Sequence, residues 1–183
     1  MARIQAIDPK EAKGKVKELL EGVERALGKV PNLIRTIANS KAALEYYLAT
    51  GKALSGGILD AKRREQIALA VAGENACDYC ASAHTAVGRM VGLDEAELAM
   101  NLDGASGDPK VDAALKFAKT VVAKRGFVSN EDIRKVRDAG YDDGAIAEIV
   151  ANVAHHIFTN YFNHVAETEI DFPAINANQK AAA

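Results

Sequence analysis

Residues 64–92, REQIALAVAGENACDYCASAHTAVGRMVG, constrain this chain more than any other stretch. Ile67 to Ala72 is apolar on every helical face, and a helix of that kind must be covered on all sides. Asn75-Ala76 interrupts the run, so two helices are expected to meet there. The first carries Glu65 and the second starts around Cys77 and Cys80. Residues three and four apart on a helix share a face, with Cβ atoms roughly 5–6 Å apart. Cys80 and His84 are therefore neighbours, and Cys77 sits one turn earlier. At about 1.5 Å rise per residue, Cys77 lies roughly 10 Å along the axis from His84, so the imidazole serves Cys80 more easily.

Helix geometry also bears on reactivity. A thiol in the first turn meets the positive end of the helix dipole and its unpaired N–H groups, which favour the thiolate. CxxC thiols in such positions have pKa values lowered to about 3.5–7.5 from about 8.5. Two cysteines packed in a core are the plainer alternative, because free Cys is among the most buried residue types. Packing gives no reason for a histidine four residues on, or for a glutamate one helix earlier. The pattern reads as redox chemistry.

The rest of the chain is punctuated for helices. Asp8-Pro9-Lys10-Glu11 combines an N-cap, a proline at the first helical position and a capping-box glutamate, predicting a helix to about Leu27. Pro31 opens a short helix, and Ser40 caps another that Ser55-Gly56-Gly57 ends. Asp60 caps the glutamate-bearing helix. Downstream starts fall at Asp94, Asp108-Pro109, Ser129 with Asp132, and Asp142, the last opening a long helix to about Glu167. No segment alternates with period two, so the expected class is all-α.

With 183 residues the chain suits one compact unit. Residues 1–58 read as an N-terminal helical extension packed on the core, 59–173 as the redox core, and 174–183 as a frayed tail. A formal charge of −2, with basic and acidic residues interleaved, gives no electrostatic footprint for nucleic acid or anionic membrane. Residues 1–14 are polar and the longest apolar run is too short to span a bilayer, so a cytoplasmic protein is expected. In a reducing compartment a CxxC is more often catalytic or metal-binding than a structural staple.

Glu-x11-Cys-x2-Cys-x3-His in an Ala-rich helical setting resembles the AhpD-like alkylhydroperoxidase branch of the carboxymuconolactone decarboxylase family. Val30-Pro31-Asn32-Leu33, Thr159-Asn160-Tyr161-Phe162-Asn163-His164 and Ile170-Asp171-Phe172-Pro173 are similar to its peroxidase-related subgroup. Tyr79 departs from the pattern, since some family members carry a histidine before the second cysteine. The resemblance implies an AhpD-like helical bundle and a peroxidase for organic hydroperoxides, with catalytic residues Glu65, Cys77, Cys80 and His84. Cys80 is then the peroxidatic thiol, Cys77 resolves it and can donate a proton to the leaving alkoxide, and Glu65 orients His84. No cofactor and no metal are expected. With only two cysteines, reduction must come from an external dithiol, which the family suggests is lipoyl-bearing or thioredoxin-type. The family also implies a closed homo-oligomer, a trimer or hexamer. Burial of Ile67–Ala72 and Ile146–Ala154, and the aromatic cluster Phe158, Tyr161 and Phe162, point to an interface on the final helix.

Other readings stay open at this level. They are a thiol–disulfide oxidoreductase without a peroxidase role, a lactone decarboxylase, and a zinc module built on Cys77, Cys80 and His84 with Glu65 as fourth ligand. His155, His156 and His164 read as satisfied, partly buried polar groups near an interface. Lys62-Arg63-Arg64 reads as a solvated face. Asp60, Glu65, Cys77 and Cys80 share their offsets with Asp143, Glu148, Asn160 and Asn163, as a degenerate duplication of one helical unit would.

Overall fold

The computed structural model describes residues 2–177, and among these there is no strand. Nine helices follow in order: α1 (Gly14–Leu27), α2 (Asn32–Ile37), α3 (Lys41–Ser55), α4 (Ala61–Glu74), α5 (Asp78–Met90), α6 (Glu95–Leu102), α7 (Pro109–Ala123), α8 (Asn130–Asp138) and α9 (Asp143–Ala166). The expected all-α class holds. Side-chain caps set most of the starts. Ser40, Asp60, Asp94, Asp108 and Asp142 each accept a backbone N–H in the first turn of their helices, and Ser129 with Asp132 closes a full capping box.

The first helix begins later than its sequence signals. Asp8 and Glu11 close a single turn, with Glu11 N donating to Asp8 O at 3.0 Å, but that turn does not propagate. Gly14 then takes a left-handed φ of +54°, which separates the turn from α1.

Helix α4 is the axis of the fold, packed against α5, α6, α7 and α9. Every residue from Ile67 to Ala72 is 0% exposed. Full burial of side chains such as Ile67, Leu69 and Val71 is worth about 1.5–3 kcal/mol each. This one chain therefore covers the all-apolar stretch by itself, and no subunit contact is required there. Ile149 and Val153 are likewise interior, whereas Val150 on the outer side of α9 is 42% exposed.

Helices α1–α3 close over the other side, in an apolar cluster that includes Leu20, Leu33, Ile37 and Leu44 together with Cys77 and Cys80. The C-terminal segment is tied to α5: Ile175 N donates to Ser82 Oγ at 2.8 Å and Ala177 N to Asp78 Oδ1 at 2.8 Å. Residues 174–177 are thus held rather than frayed, and 178–183 lie outside the described residues. The two segments matched by offset differ in path, because α4 and α5 are broken at Asn75–Cys77 while α9 runs unbroken. Asp142 is the cap of α9, as its sequence position implied, and it stands one residue before Asp143, the offset partner of Asp60.

Candidate active site

The junction between α4 and α5 builds the thiol pair. Ala76 adopts a left-handed φ of +53°, Ala76 N donates to Gly73 O at 3.2 Å, and Cys77 N donates to Ala72 O at 2.9 Å. This is a Schellman ending, with an alanine at the position that glycine usually fills. Cys77 both completes that motif and serves as the N-cap of α5, its sulfur accepting Cys80 N at 3.4 Å. A cap is ordinarily a hydroxyl or carboxylate; here a thiol takes the place and draws Cys80 into the first turn.

Both thiols are free and buried. Their environments push them apart. Burial is the largest influence on Cys80 and raises its pKa. The Cys77 hydrogen bond, the His84 charge and the amides of Asn163 and Asn160 outweigh it, bringing Cys80 down to about 7. The hydrogen bond with Cys80, then burial, then the Cys80 charge push the Cys77 thiol up. Such separation of two like groups is how a site divides roles between them.

His84 and Glu65, expected as a pair from their spacing, are joined: His84 Nδ1 and Glu65 Oε2 lie 2.7 Å apart. Burial opposes the charge on His84, but Glu65 through its charge and hydrogen bond, with Cys80, raises the imidazole pKa. A cavity of about 400 Å³ opens here, and Cys80, His84 and Glu65 all line it. Cys77 does not appear in its wall. Leu33, Ile34, Leu54, Val87 and Phe172 make much of the lining apolar.

His155 and His156 also line this cavity, beside His84. The His156 ring meets His84 edge-on, with centroids 4.8 Å apart, and His155 stacks on Tyr47 at 5.1 Å. Thr50 Oγ1, which donates to backbone carbonyls of α3, lies 3.0 Å from His155 Nδ1 and accepts a hydrogen bond from it. Burial, followed by the His84 charge, pushes His155 down to about 4. The same causes, with His155 added, push His156 well below its ordinary value. Both are neutral imidazoles at neutral pH, and His156 Nδ1 is buried without a partner. His164 is exposed and apart from the site. Arg64 lines the cavity instead of standing on a solvated face, with its Nη1 donating to Leu59 O at 2.6 Å.

Three asparagines, none of them assigned a chemical role from the sequence, come together at the site. Asn163 Nδ2 donates to Cys80 Sγ at 3.2 Å, and Asn75 Nδ2 donates to Asn160 Oδ1 at 2.9 Å. Tyr79 is structural: its hydroxyl accepts Leu33 N at 3.0 Å and donates to Asp171 Oδ1 at 2.8 Å. Asp171 also accepts Asn32 N at 3.2 Å, and Phe172 packs edge-on against Tyr79. The flanking motifs around Asn32 and Asp171 therefore converge on one side chain next to the thiols. Among the described residues, no group of three or more His, Cys, Asp or Glu is arranged to hold a metal ion. No described helix is long and apolar enough to cross a membrane.

The sequence profile of the carboxymuconolactone decarboxylase family matches residues 41–120. No curated protein matches the chain significantly. Among solved structures, an alkylhydroperoxidase AhpD core, an uncharacterized peroxidase-related protein from Ralstonia eutropha JMP134, superposes with a TM-score of 0.85 at 23% identity, covering 93% of this chain and 92% of that one. An uncharacterized peroxidase-related protein from Silicibacter sp. TM1040 gives a TM-score of 0.79 at 24% identity, over 91% and 92% of the two chains. The debrominase Bmp8 gives 0.78 at 18% identity, over 92% of each. At these identities the likeness is one of fold. Residues 41–120, with both thiols, Glu65 and His84 among them, match the carboxymuconolactone decarboxylase family model, and the chain as a whole has the AhpD-like fold.

Proposed function

We propose that this protein is a thiol-dependent peroxidase for organic hydroperoxides, with Cys80 as the peroxidatic thiol. The observation that carries this reading is that Cys80, held at about 7, lines the cavity beside the Glu65–His84 pair, whereas Cys77 is away from the cavity wall. The Cys80 thiolate attacks the outer oxygen of the hydroperoxide. An S–O bond forms, the O–O bond breaks, and the alkoxide leaves. His84, whose protonated form Glu65 favours, supplies the proton that turns the alkoxide into an alcohol. Cys77 then attacks the Cys80 sulfenic acid, releasing water and closing a Cys77–Cys80 disulfide. An external dithiol reduces that disulfide and is itself oxidised. Because both sulfurs are buried, a slender dithiol able to enter the cavity suits the site better than one on a broad protein face.

The test is hydroperoxide consumption in the presence of a small dithiol. Cys80→Ser is expected to abolish it. Cys77→Ser is expected to allow one turnover and leave a trappable sulfenic acid on Cys80. A sulfenic acid trapped on Cys77 in active Cys80→Ser protein reverses the assignment.

The cavity favours one second reading. Tyr47 and Phe172 stand in its wall, so it accepts a flat aromatic ring, and a variant of Bmp8 has been solved in complex with 2,3,4-tribromopyrrole. In that reaction the two thiols supply two electrons and two protons overall. A carbon–bromine bond becomes carbon–hydrogen, with bromide, a proton and the disulfide as products. Bromide release from a bromopyrrole without hydroperoxide consumption would select this reading over the first.

A further inference from the structure

Cys80 is buried to 2% exposure, yet the site needs its sulfur as an anion. An anion taken out of water must be given hydrogen bonds by the protein, or the group stays neutral. His84, four residues away on the same helix, has its Nδ1 on Glu65 and acts on the sulfur through its charge. The donors to the sulfur come from α5 and from the opposite side, from α9. Asn163 is 5% exposed and places its Nδ2 3.2 Å from Cys80 Sγ. Asn160, one turn earlier on the same face of α9, is 0% exposed, and it is among the groups that lower the Cys80 pKa. Asn75, at the C-cap of α4, donates to Asn160 Oδ1 at 2.9 Å and so leaves the Asn160 NH2 group to face away from it. That NH2 group is buried without an acceptor, and the Asn163 oxygen is buried without a donor. Unsatisfied amide atoms at such depth cost stability, and a working role for the amides would account for their being there.

We propose that Asn163 is a catalytic residue which, with Asn160, forms a two-amide pocket for the Cys80 sulfur anion, and that Asn75 is the positioning residue for the second amide. The amide N–H bonds complement a thiolate, which only accepts; a thiol would be better met by an amide oxygen. The pocket rests on Cys80 being the working thiol. The ionisable groups around the sulfur are Cys77, Tyr79 and His84 from α5, Glu65 from α4 through His84, Tyr47 from α3, and His156 from α9 through His84. None of them replaces a fixed donor at 3.2 Å.

The experiment is the pH dependence of Cys80 alkylation by iodoacetamide in the reduced full-length protein, with the modified peptide identified by mass spectrometry. Asn163→Ala is expected to move the Cys80 midpoint up by about one pH unit, a tenfold slower reaction below the midpoint. Asn163→Asp sets a carboxylate where the donor was and is expected to move it further. Asn75→Ala, at a half-buried site, is expected to give a smaller rise in the same direction. This order of effects is not one that general loosening of the fold produces. Midpoints within about 0.3 units of wild type in folded Asn163→Ala protein overturn the pocket. If neither Asn163 variant folds, an unmoved midpoint in Asn75→Ala overturns it instead. The proposed peroxidase reading is scored separately. Shifted midpoints in a protein that consumes no hydroperoxide keep the pocket and discard the peroxidase. Unmoved midpoints in an active peroxidase do the reverse.

Discussion

Tyr79 and Asp171, 92 residues apart, are joined by a 2.8 Å hydrogen bond from the phenol to the carboxylate. The same phenol oxygen takes Leu33 N, so one side chain fastens α2 and the C-terminal segment to the helix that carries the thiols. Tyr79→Phe leaves a buried N–H without an acceptor, which costs about 1–3 kcal/mol. Urea denaturation is expected to show that loss as a lower midpoint with an unchanged slope.

Removing either member of the 2.7 Å pair is expected to slow hydroperoxide reduction. Glu65→Gln and His84→Gln should each lower the rate by roughly 10²–10⁴-fold, the usual range for a lost acid–base partner. Circular dichroism should be unchanged, because neither substitution removes apolar volume. Rates within a few-fold of wild type would sink the relay.

Acid stability follows from the two neutral histidines. Their folded pKa values lie below the ordinary 6.5, at about 4 for His155, so the unfolded chain binds more protons between those values. Stability is therefore expected to fall as pH drops from about 6.5 towards 4, by up to roughly 3 kcal/mol for His155 alone. His155→Phe should flatten that part of the profile. Denaturation midpoints measured at several pH values check it.

Two small residues near the junction should respond in opposite directions. Ala76 carries a left-handed φ of +53°, and glycine adopts that conformation without the side-chain penalty. Ala76→Gly is expected to stabilise by about 0.5–1 kcal/mol after the entropy cost of glycine. Gly73 instead faces the Leu102 carbonyl of α6, which any added Cβ would strike. Gly73→Ala should cost about 1–3 kcal/mol, the scale of other overpacked cores. Thermal melts on the pair decide both.

We propose that the protein self-assembles through the outer face of α3 and α9. Tyr46, Tyr161 and Val165 are 48%, 54% and 61% exposed there, beside the half-buried Phe158 and Phe162. Exposed apolar surface of this kind is costly unless covered. Light scattering is expected to give a multiple of the 19.4 kDa chain, and Tyr161→Glu should lower it. A 19.4 kDa mass for the wild type at micromolar concentration removes the proposal.

Legibility in the sequence followed the range of the interactions. Helix starts set by a local carboxylate or hydroxyl, as at Asp60 and Ser129, could be read directly because cap and N–H are three residues apart. The start of α1 was not, since a left-handed Gly14 cancels an otherwise complete set of signals at Asp8–Glu11. Glu65 and His84 were legible because helical spacing and the break at Asn75 leave them few other partners. His155, His156, Asn160 and Asn163 reach the site only when α9 docks across α4 and α5, about 80 residues from the thiols in sequence. The shared offset that sets Asn160 and Asn163 against Cys77 and Cys80 was a signal, but it pointed to ancestry and not to contact.

The family-matched segment ends at residue 120, before α9 begins at Asp143. It contains the proposed nucleophile, Cys80, but neither of the amides nor the two neutral histidines. Leu33 and Ile34 of the cavity wall precede its first residue. A graft of α4 and α5 alone onto another scaffold would thus carry two cysteines and leave behind much of what makes one of them reactive. The proposed chemistry therefore belongs to the whole fold, not to a segment that could be moved as a cassette.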